Sequence, residues 1–299
     1  MNNQQKAYIS AFITVVFWAS AFPAVKFCLE YYSPGALMLF RFLIASAVLG
    51  VYCAAAKVKR PDKQDMPRFV LAGAVGIFVY MWLFNAGTSY VTAGLSSFII
   101  GACPLGTLLL SIFVLKERAG LLGWVGIIVS FAGLALVAST GISGATVNIG
   151  VVMLLGAVAC NSIYNIMQRG LTINRGYTAI AATSYSVFFA TALMLVFVPQ
   201  LLREFPSAPL AVNLVCIYLG VFPAAISYFC WGWALSRAEK TIHVASFLYL
   251  SPFIAATLSF LWLGERLEPI VAIGGVVIIA GMVLANIRKP VSNPATSQD

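Results

Sequence analysis

Apolar residues run in long blocks, not at the period of a half-buried strand or an amphipathic surface helix. Ten blocks can be drawn, near 8–29, 34–56, 68–87, 92–115, 119–139, 149–169, 177–201, 210–235, 242–263 and 269–287. Each approaches the roughly 20 residues that a helix needs to cross about 30 Å of hydrocarbon. Pro34, Pro61, Pro67 and Pro269 punctuate them, with short polar connections between. No stretch is left for a sizeable soluble domain. The polar residues 290–299 carry no such pattern and are expected to be disordered.

The blocks repeat. Pro104-Leu-Gly-Thr-Leu-Leu-Leu-Ser-Ile-Phe-Val-Leu-Lys-Glu-Arg118 returns as Pro252-Phe-Ile-Ala-Ala-Thr-Leu-Ser-Phe-Leu-Trp-Leu-Gly-Glu-Arg266, about 148 residues later. The phase holds into the next block, where Gly126 matches Gly274 and Gly133 matches Gly281. The first block also aligns with the sixth, Trp18 to Lys26 with Asn161 to Arg169. Residues 1–140 and 141–289 therefore read as two five-helix repeats of an all-α membrane protein. A doubled membrane unit places its site between the halves.

Charge sets the orientation. Fourteen Lys and Arg fall on one set of alternate connections: Lys6, Lys57, Lys59, Arg60, Lys63, Arg68, Lys116, Arg118, Arg169, Arg175, Arg237, Lys240, Arg288 and Lys289. The other set has only Lys26, Arg203 and Arg266, and Arg41 lies inside a block. The positive-inside rule puts both termini in the cytoplasm. Five helices per half then invert the second half, in agreement with the repeat. Ala19-Ser20-Ala21 looks like a signal-peptidase site. But apolar residues continue to Leu29, and removing this block would break the symmetry.

Composition agrees. Only 9% of residues are charged, against roughly a quarter in soluble chains, so most of the surface meets lipid. The net charge of +9 is spread over short connections and forms no nucleic-acid footprint. The six cysteines lie scattered in apolar blocks without a CxxC pair and read as small hydrophobes. No metal set or cofactor motif stands out, and none is expected.

The organisation resembles the drug/metabolite transporter superfamily, in particular its EamA-type ten-helix members. Each half opens with an aromatic-rich helix, here Val16-Phe-Trp-Ala-Ser-Ala-Phe-Pro-Ala-Val-Lys26. The second helix carries Leu39-Phe-Arg-Phe-Leu43, like the family's arginine–phenylalanine pair. The fourth and ninth have a mid-helix proline and end in Glu-Arg, and the fifth and tenth have spaced glycines. The resemblance implies alternating access around a cavity lined by helices one, three, four, six, eight and nine, with five and ten peripheral. It also implies a small-molecule substrate such as an amino acid, another metabolite or a drug, and export from a bacterial inner membrane.

The polar residues refine this. Asn161, Tyr164, Asn165 and Gln168 stand at i, i+3, i+4 and i+7 on one face of the sixth helix. That face must avoid lipid, either as packing glue or as contacts to a polar substrate head. The equivalent face of the first helix is aromatic, with Trp18 and Phe22. A polar stripe opposite an aromatic one suits an amphipathic solute. Trp82, Asn85 and Tyr228 are expected to face inward with them. Ser97, Ser246 and Tyr249 precede Pro104 and Pro252, whose helices are candidates for gating or simply kinked packing elements.

Arg41 sits about seven residues into the second helix, roughly 10 Å deep. A charge there costs about 2–3 kcal/mol on insertion scales. It can anchor structurally, by capping carbonyls or pairing with Glu30, or control a gate. Lys26 can snorkel to the interface. Either way, positive charge would suit a substrate carboxylate. No Asp or Glu lies inside a block, so transport is expected to proceed without direct proton coupling. The lone histidine, His243, is the alternative proton relay or else a polar helix end. The glycines of helices five and ten read as close-packing positions, with helix five against helix four or in a homodimer.

An enzyme lacks a nucleophile–base pair here; a channel would need polar or charged rings along a continuous pore, and the proline-broken repeat helices favour a carrier. A scaffold would have no use for such a face. The expected function is export of amphipathic metabolites, amino acids first and aromatic ones among them. A multidrug, nucleotide-sugar-like or proton-coupled carrier is the alternative, and a channel or membrane scaffold is the alternative of a different class.

Overall fold

The computed structural model describes residues 3–116, 120–140, 142–143, 146–237, 244 and 246–286. The chain is built of helices that run as α1 Gln4–Cys28, α2 Pro34–Ala55, α3 Met66–Tyr90, α4 Ala93–Val114 and α5 Leu121–Ser139. The second half follows as α6 Ile149–Asn174, α7 Ala179–Glu204, α8 Leu210–Ala234, α9 Ser246–Leu263 and α10 Pro269–Asn286. Among the described residues, α1 to α9 are long and apolar enough to cross a membrane. The 18 residues of α10 span about 27 Å, close to a hydrocarbon core. A two-residue ladder between α5 and α6 pairs Ile142 with Val147 and Ser143 with Thr146.

Lipid offers no partner to a free backbone group, so the helix ends carry their own caps. Ser33 caps α2 ahead of Pro34, and its hydroxyl accepts from Ala36 N at 3.4 Å. Thr178, 145 positions later, caps the counterpart helix α7 through Ala181 N at 3.2 Å. Thr92 and Asn148 cap α4 and α6. Gly264, at φ +68°, closes α9 in the left-handed conformation that glycine adopts without strain.

Packing follows the repeat. Helix α1 packs on α8 and α9, and its counterpart α6 packs on α3 and α4. Helix α2 packs on its own counterpart α7, α4 on α9, and α5 on α10. The α5 glycines Gly126 and Gly133 meet α10, a partner other than the expected α4. A Cβ at Gly133 would lie 2.6 Å from Ile278 N and 2.7 Å from Gly274 O, so only glycine lets these backbones meet. Between them, Ser130 Oγ donates to Ile278 O at 3.0 Å, a bond between positions 148 apart that are repeat equivalents. Ser46 and Thr191 join α2 to α7 in the same way at 2.8 Å. Both bonds lie beside the axis relating the halves.

Several helices depart from the α pattern. Pi-helical turns occupy Ala74–Val79 in α3, Gly170–Asn174 in α6 and Phe222–Ile226 in α8. Pro104 and Pro252 do not interrupt continuous helices. Each sits at the start of a fresh α-helical section, Cys103–Val114 or Ser251–Leu263, after a turn or a 3-10 segment.

Candidate functional site

Two faces of the bundle can be told apart by their connections. The face bearing the start of α1 and the α2–α3 and α6–α7 connections is here the basic face, and the opposite one the far face. A cavity of 1020 Å³ lies between the halves. Exposed residues line it at the basic face, among them Arg169, Thr178 and Trp233. Toward the far face its wall is buried: Phe22, Arg41, Phe84 and Phe98 form a roof.

The four polar residues of α6 all line this cavity. Asn165 Nδ2 donates to Thr107 Oγ1 at 3.0 Å and to Asn161 Oδ1 at 3.1 Å. Gln168 Nε2 donates to Tyr164 Oη and, at 3.2 Å, to Thr183 Oγ1 on α7. The stripe thus holds itself in place and presents its remaining groups to the cavity. Opposite stand Trp18, Tyr228 and Trp231, with ring centroids 5.9 and 5.4 Å from Trp18. The indole of Trp18 donates to Pro223 O at 3.1 Å, inside the π turn of α8. Phe22 meets Phe84 edge to face at 5.5 Å.

Other expected residues fall elsewhere. Trp82 is 39% exposed on the outside of α3 and does not line the cavity, where Tyr80, Met81 and Phe84 stand instead. Asn85 is fully buried and donates to Pro34 O at 3.1 Å, which ties α3 to the start of α2. Ser97 lines the cavity but spends its hydroxyl on Gly94 O and Pro252 O, at 2.7 and 3.3 Å. Tyr249, Pro104 and Pro252 line the wall, while Ser246 is exposed away from it. His243 lies outside the described residues. Helices α2, α7 and α10 also contribute, through residues such as Phe42, Thr183 and Ile278; α5 contributes none.

Two basic residues differ in kind. Lys26 neither lines the cavity nor hangs free at an interface. Its Nζ donates to the carbonyls of Thr88, Ser89 and Val91 at 2.9, 3.1 and 2.8 Å, and so fastens α1 to the α3–α4 turn. Arg41 is 4% exposed and lines the roof, yet its Nε and Nη1 have no hydrogen-bond partner. It caps no carbonyl with these atoms and forms no described ion pair with Glu30.

The far face is closed by two matching contacts between halves. Glu204 Oε2, at the end of α7, accepts from Ser33 N at the start of α2, at 2.8 Å. Glu265 Oε2, just past α9, accepts from Ala93 N and Gly94 N at the start of α4, at 2.8 and 3.4 Å. Each carboxylate caps the helix that is its own helix's counterpart, where the N-terminal dipole favours negative charge. The Glu-Arg motif after α9 therefore anchors another helix as well as ending its own. Tyr32 and Asn213 add a hydrogen bond across α1–α2 and α8.

At the basic face, Asp65 is held by Arg68 Nη1 at 2.5 Å, Arg175 Nε at 3.4 Å and Tyr177 Oη at 3.1 Å. Burial pushes its carboxyl up. The bonds from Tyr177 and Arg68 and the charges of Arg175 and Arg68 outweigh this and hold it below the usual carboxylate range. Arg175 and Tyr177 belong to the second half, so this cluster too joins the repeats.

The EamA-like transporter family model matches residues 5–139 and again 148–287. The chain belongs to the EamA-like transporter family. A probable terminal-alkyne amino-acid exporter of Streptantibioticus cattleyicolor is 34% identical over 283 residues, 95% of this chain and 94% of that one. The uncharacterized transporter YdfC of Bacillus subtilis is 32% identical over 94% of this chain and 90% of its own. A probable amino-acid metabolite efflux pump of Escherichia coli is 24% identical, covering 94% of each chain. A solved crystal structure superposes with a TM-score of 0.65 at 19% identity, over 94% of this chain and 98% of that one, a likeness of fold. Like its relatives, this EamA-like chain is a multi-pass membrane transporter, and its inverted halves enclose the cavity described above.

Proposed function

We propose that this protein exports amino acids or related amphipathic metabolites from the cytoplasm of a bacterium by alternating access, without direct proton coupling. The observation that carries the reading is the two-sided cavity. An aromatic wall of Trp18, Phe22, Tyr228 and Trp231 faces the amide and hydroxyl stripe of α6. Such a wall takes an apolar side chain and such a stripe a polar head. The charge asymmetry of the connections supports a cytoplasmic basic face. The cavity would then load from inside, as export requires. Support for amino acids comes from the two relatives named for amino-acid export or efflux. Among the cavity's described lining residues none is Asp or Glu, which supports a carrier that moves its solute without a carboxylate proton relay.

One observation favours a second reading. At 1020 Å³ the cavity is at the upper end of the volumes that hold drug-sized ligands, larger than an amino acid needs. A broader range of solutes therefore fits as well.

The test is counterflow in proteoliposomes loaded with a mixed amino acid pool, following labelled threonine, phenylalanine and tryptophan with and without a pH gradient. Saturable, gradient-independent counterflow is expected. Strict dependence on the gradient would overturn the uncoupled mechanism, and no counterflow with any amino acid would remove the substrate class.

A further inference from the structure

Arg41 poses the sharpest chemical question in the molecule. A buried guanidinium with two unpartnered nitrogens is costly, because desolvation takes more than scattered dipoles return. Tyr80 and Tyr228 line the same cavity, and the Phe42 ring lies 5.5 Å from its Cζ. None of these carries negative charge at neutral pH. The described ion pairs are Lys59–Asp62, Arg68–Asp65 and Arg175–Asp65, all on the basic-face connections. So the roof cation has no anion among the described residues, yet it opens on a cavity wide enough to bring one.

We propose that Arg41 is the carboxylate anchor of the cavity, and that the cavity selects amphipathic monocarboxylates whether or not they carry an ammonium group. The proposal rests on the reading of the cavity as a solute site. A guanidinium presents paired donors that match the two oxygens of a carboxylate. With the carboxylate at the roof, an apolar substituent lies against Phe22, Phe84 and Trp18. An ammonium group meets a different welcome. The described lining holds the unpartnered Arg41 and includes no Asp or Glu. An α-amino group finds amide oxygens and aromatic faces there, not a counter-ion. Acylating or deleting it removes little binding, whereas masking the carboxylate removes the principal contact.

The experiment reads binding directly. Trp18, Trp231 and Trp233 line the cavity, so tryptophan fluorescence of the purified full chain in detergent reports occupancy. The probes are phenylalanine, N-acetylphenylalanine, 3-phenylpropionate and phenylalaninamide. The three carboxylates are expected to bind within about threefold of one another, and the amide at least about tenfold more weakly, the size of a lost charge-assisted contact. Arg41→Gln should abolish the preference for acid over amide, and Arg41→Lys should keep part of it. Should Arg41→Gln fail to fold, the acid–amide comparison on the native chain still decides. Equal binding of amide and acid overturns the proposal. So does a folded Arg41→Gln that keeps the acid preference, a strict need for the ammonium group, or no binding by any carboxylate. Acids that bind through Arg41 while no amino acid undergoes counterflow would keep the anchor and sink the amino-acid reading instead.

Discussion

Replacing Glu265 with alanine removes the acceptor that holds the start of α4 to the end of α9 across the far face. The contact is a charge-assisted bond from Ala93 N at 2.8 Å, with a weaker share from Gly94 N at 3.4 Å. Such bonds contribute about 1.5–3 kcal/mol, and partial exposure of Glu265 to the far side favours the lower half, about 2 kcal/mol. The two partners belong to different halves and must separate when the far face opens. Losing about 2 kcal/mol from the closed state alone raises the open population about 30-fold. Glu265→Gln keeps a neutral acceptor, loses about 1 kcal/mol, and should raise it about fivefold. The assay uses Ala21→Cys as a reporter in a chain whose six native cysteines are replaced. Position 21 lines the cavity and is 8% exposed. An impermeant thiol reagent confined to the far side reaches it only through an opened far face. Labelling should accelerate in the order native, Glu265→Gln, Glu265→Ala, with Glu204→Ala behaving likewise. A rate within about twofold of native in a folded Glu265→Ala would refute the latch.

Three further outcomes follow from other parts of the fold. Asp65 has a depressed carboxyl, so its stabilising contribution is complete above the ordinary value of about 3.9 and is lost as pH falls through the lower folded one; the melting difference between native protein and Asp65→Asn should therefore be constant from pH 5 to 8, and a narrowing within that window would count against the cluster. Gly133→Ala presses a methyl against Ile278 N and Gly274 O, and should destabilise the α5–α10 contact by about 1–3 kcal/mol; an unchanged melting temperature in detergent would contradict that packing. Asn161→Ala should raise the half-saturation concentration in counterflow by about 2–10-fold, while Trp82→Ala on the lipid-facing side of α3 should leave it as it was; the reverse pattern would mean the cavity is wrongly drawn.

The spans and the inverted repeat were legible because lipid imposes them: long apolar runs, prolines at helix starts and a charge bias between connections are direct chemical demands. The α6 stripe was legible for the same reason, since four polar groups at helical spacing have one face to share. Side-chain direction in α3 was not. The π turn at Ala74–Val79 inserts an extra residue into the helical path, so the residues after it are rotated from where a regular helix would put them. Tyr80, Met81 and Phe84 face the cavity and Trp82 does not. Asn85 looked like a solute contact, but the start of α2 offers it the Pro34 carbonyl. The glycines announced close approach without naming the partner; α10 is that partner because the axis between the halves runs beside Ser130 and Ile278. That Arg41 would lack a counter-ion among the described residues depended on where the acids of distant connections ended up, which no local pattern records.

Two identical inverted halves would open to either face with equal energy, so the state seen here is selected where the halves differ. The bonds Ser46–Thr191 and Ser130–Ile278 join equivalent positions and can serve both states. Glu204 cannot. The residue 145 positions before it, the spacing of the paired α2 and α7 caps, is Lys59, which pairs with Asp62 at 3.1 Å and caps no helix. Arg41 likewise has Ser186 as its counterpart, a residue whose hydroxyl is spent on Ala182 O. At about 2 kcal/mol, the Glu204 bond holds the far-face-open state near 3% of molecules, within the range from which a ligand can draw a minor conformation. A solute shifts that balance only by binding the open or transitional arrangement better than the closed one. Arg41 stands at the roof, where the two arrangements must differ most. A charge buried there with two nitrogens unpartnered is where a bound carboxylate can act on that balance.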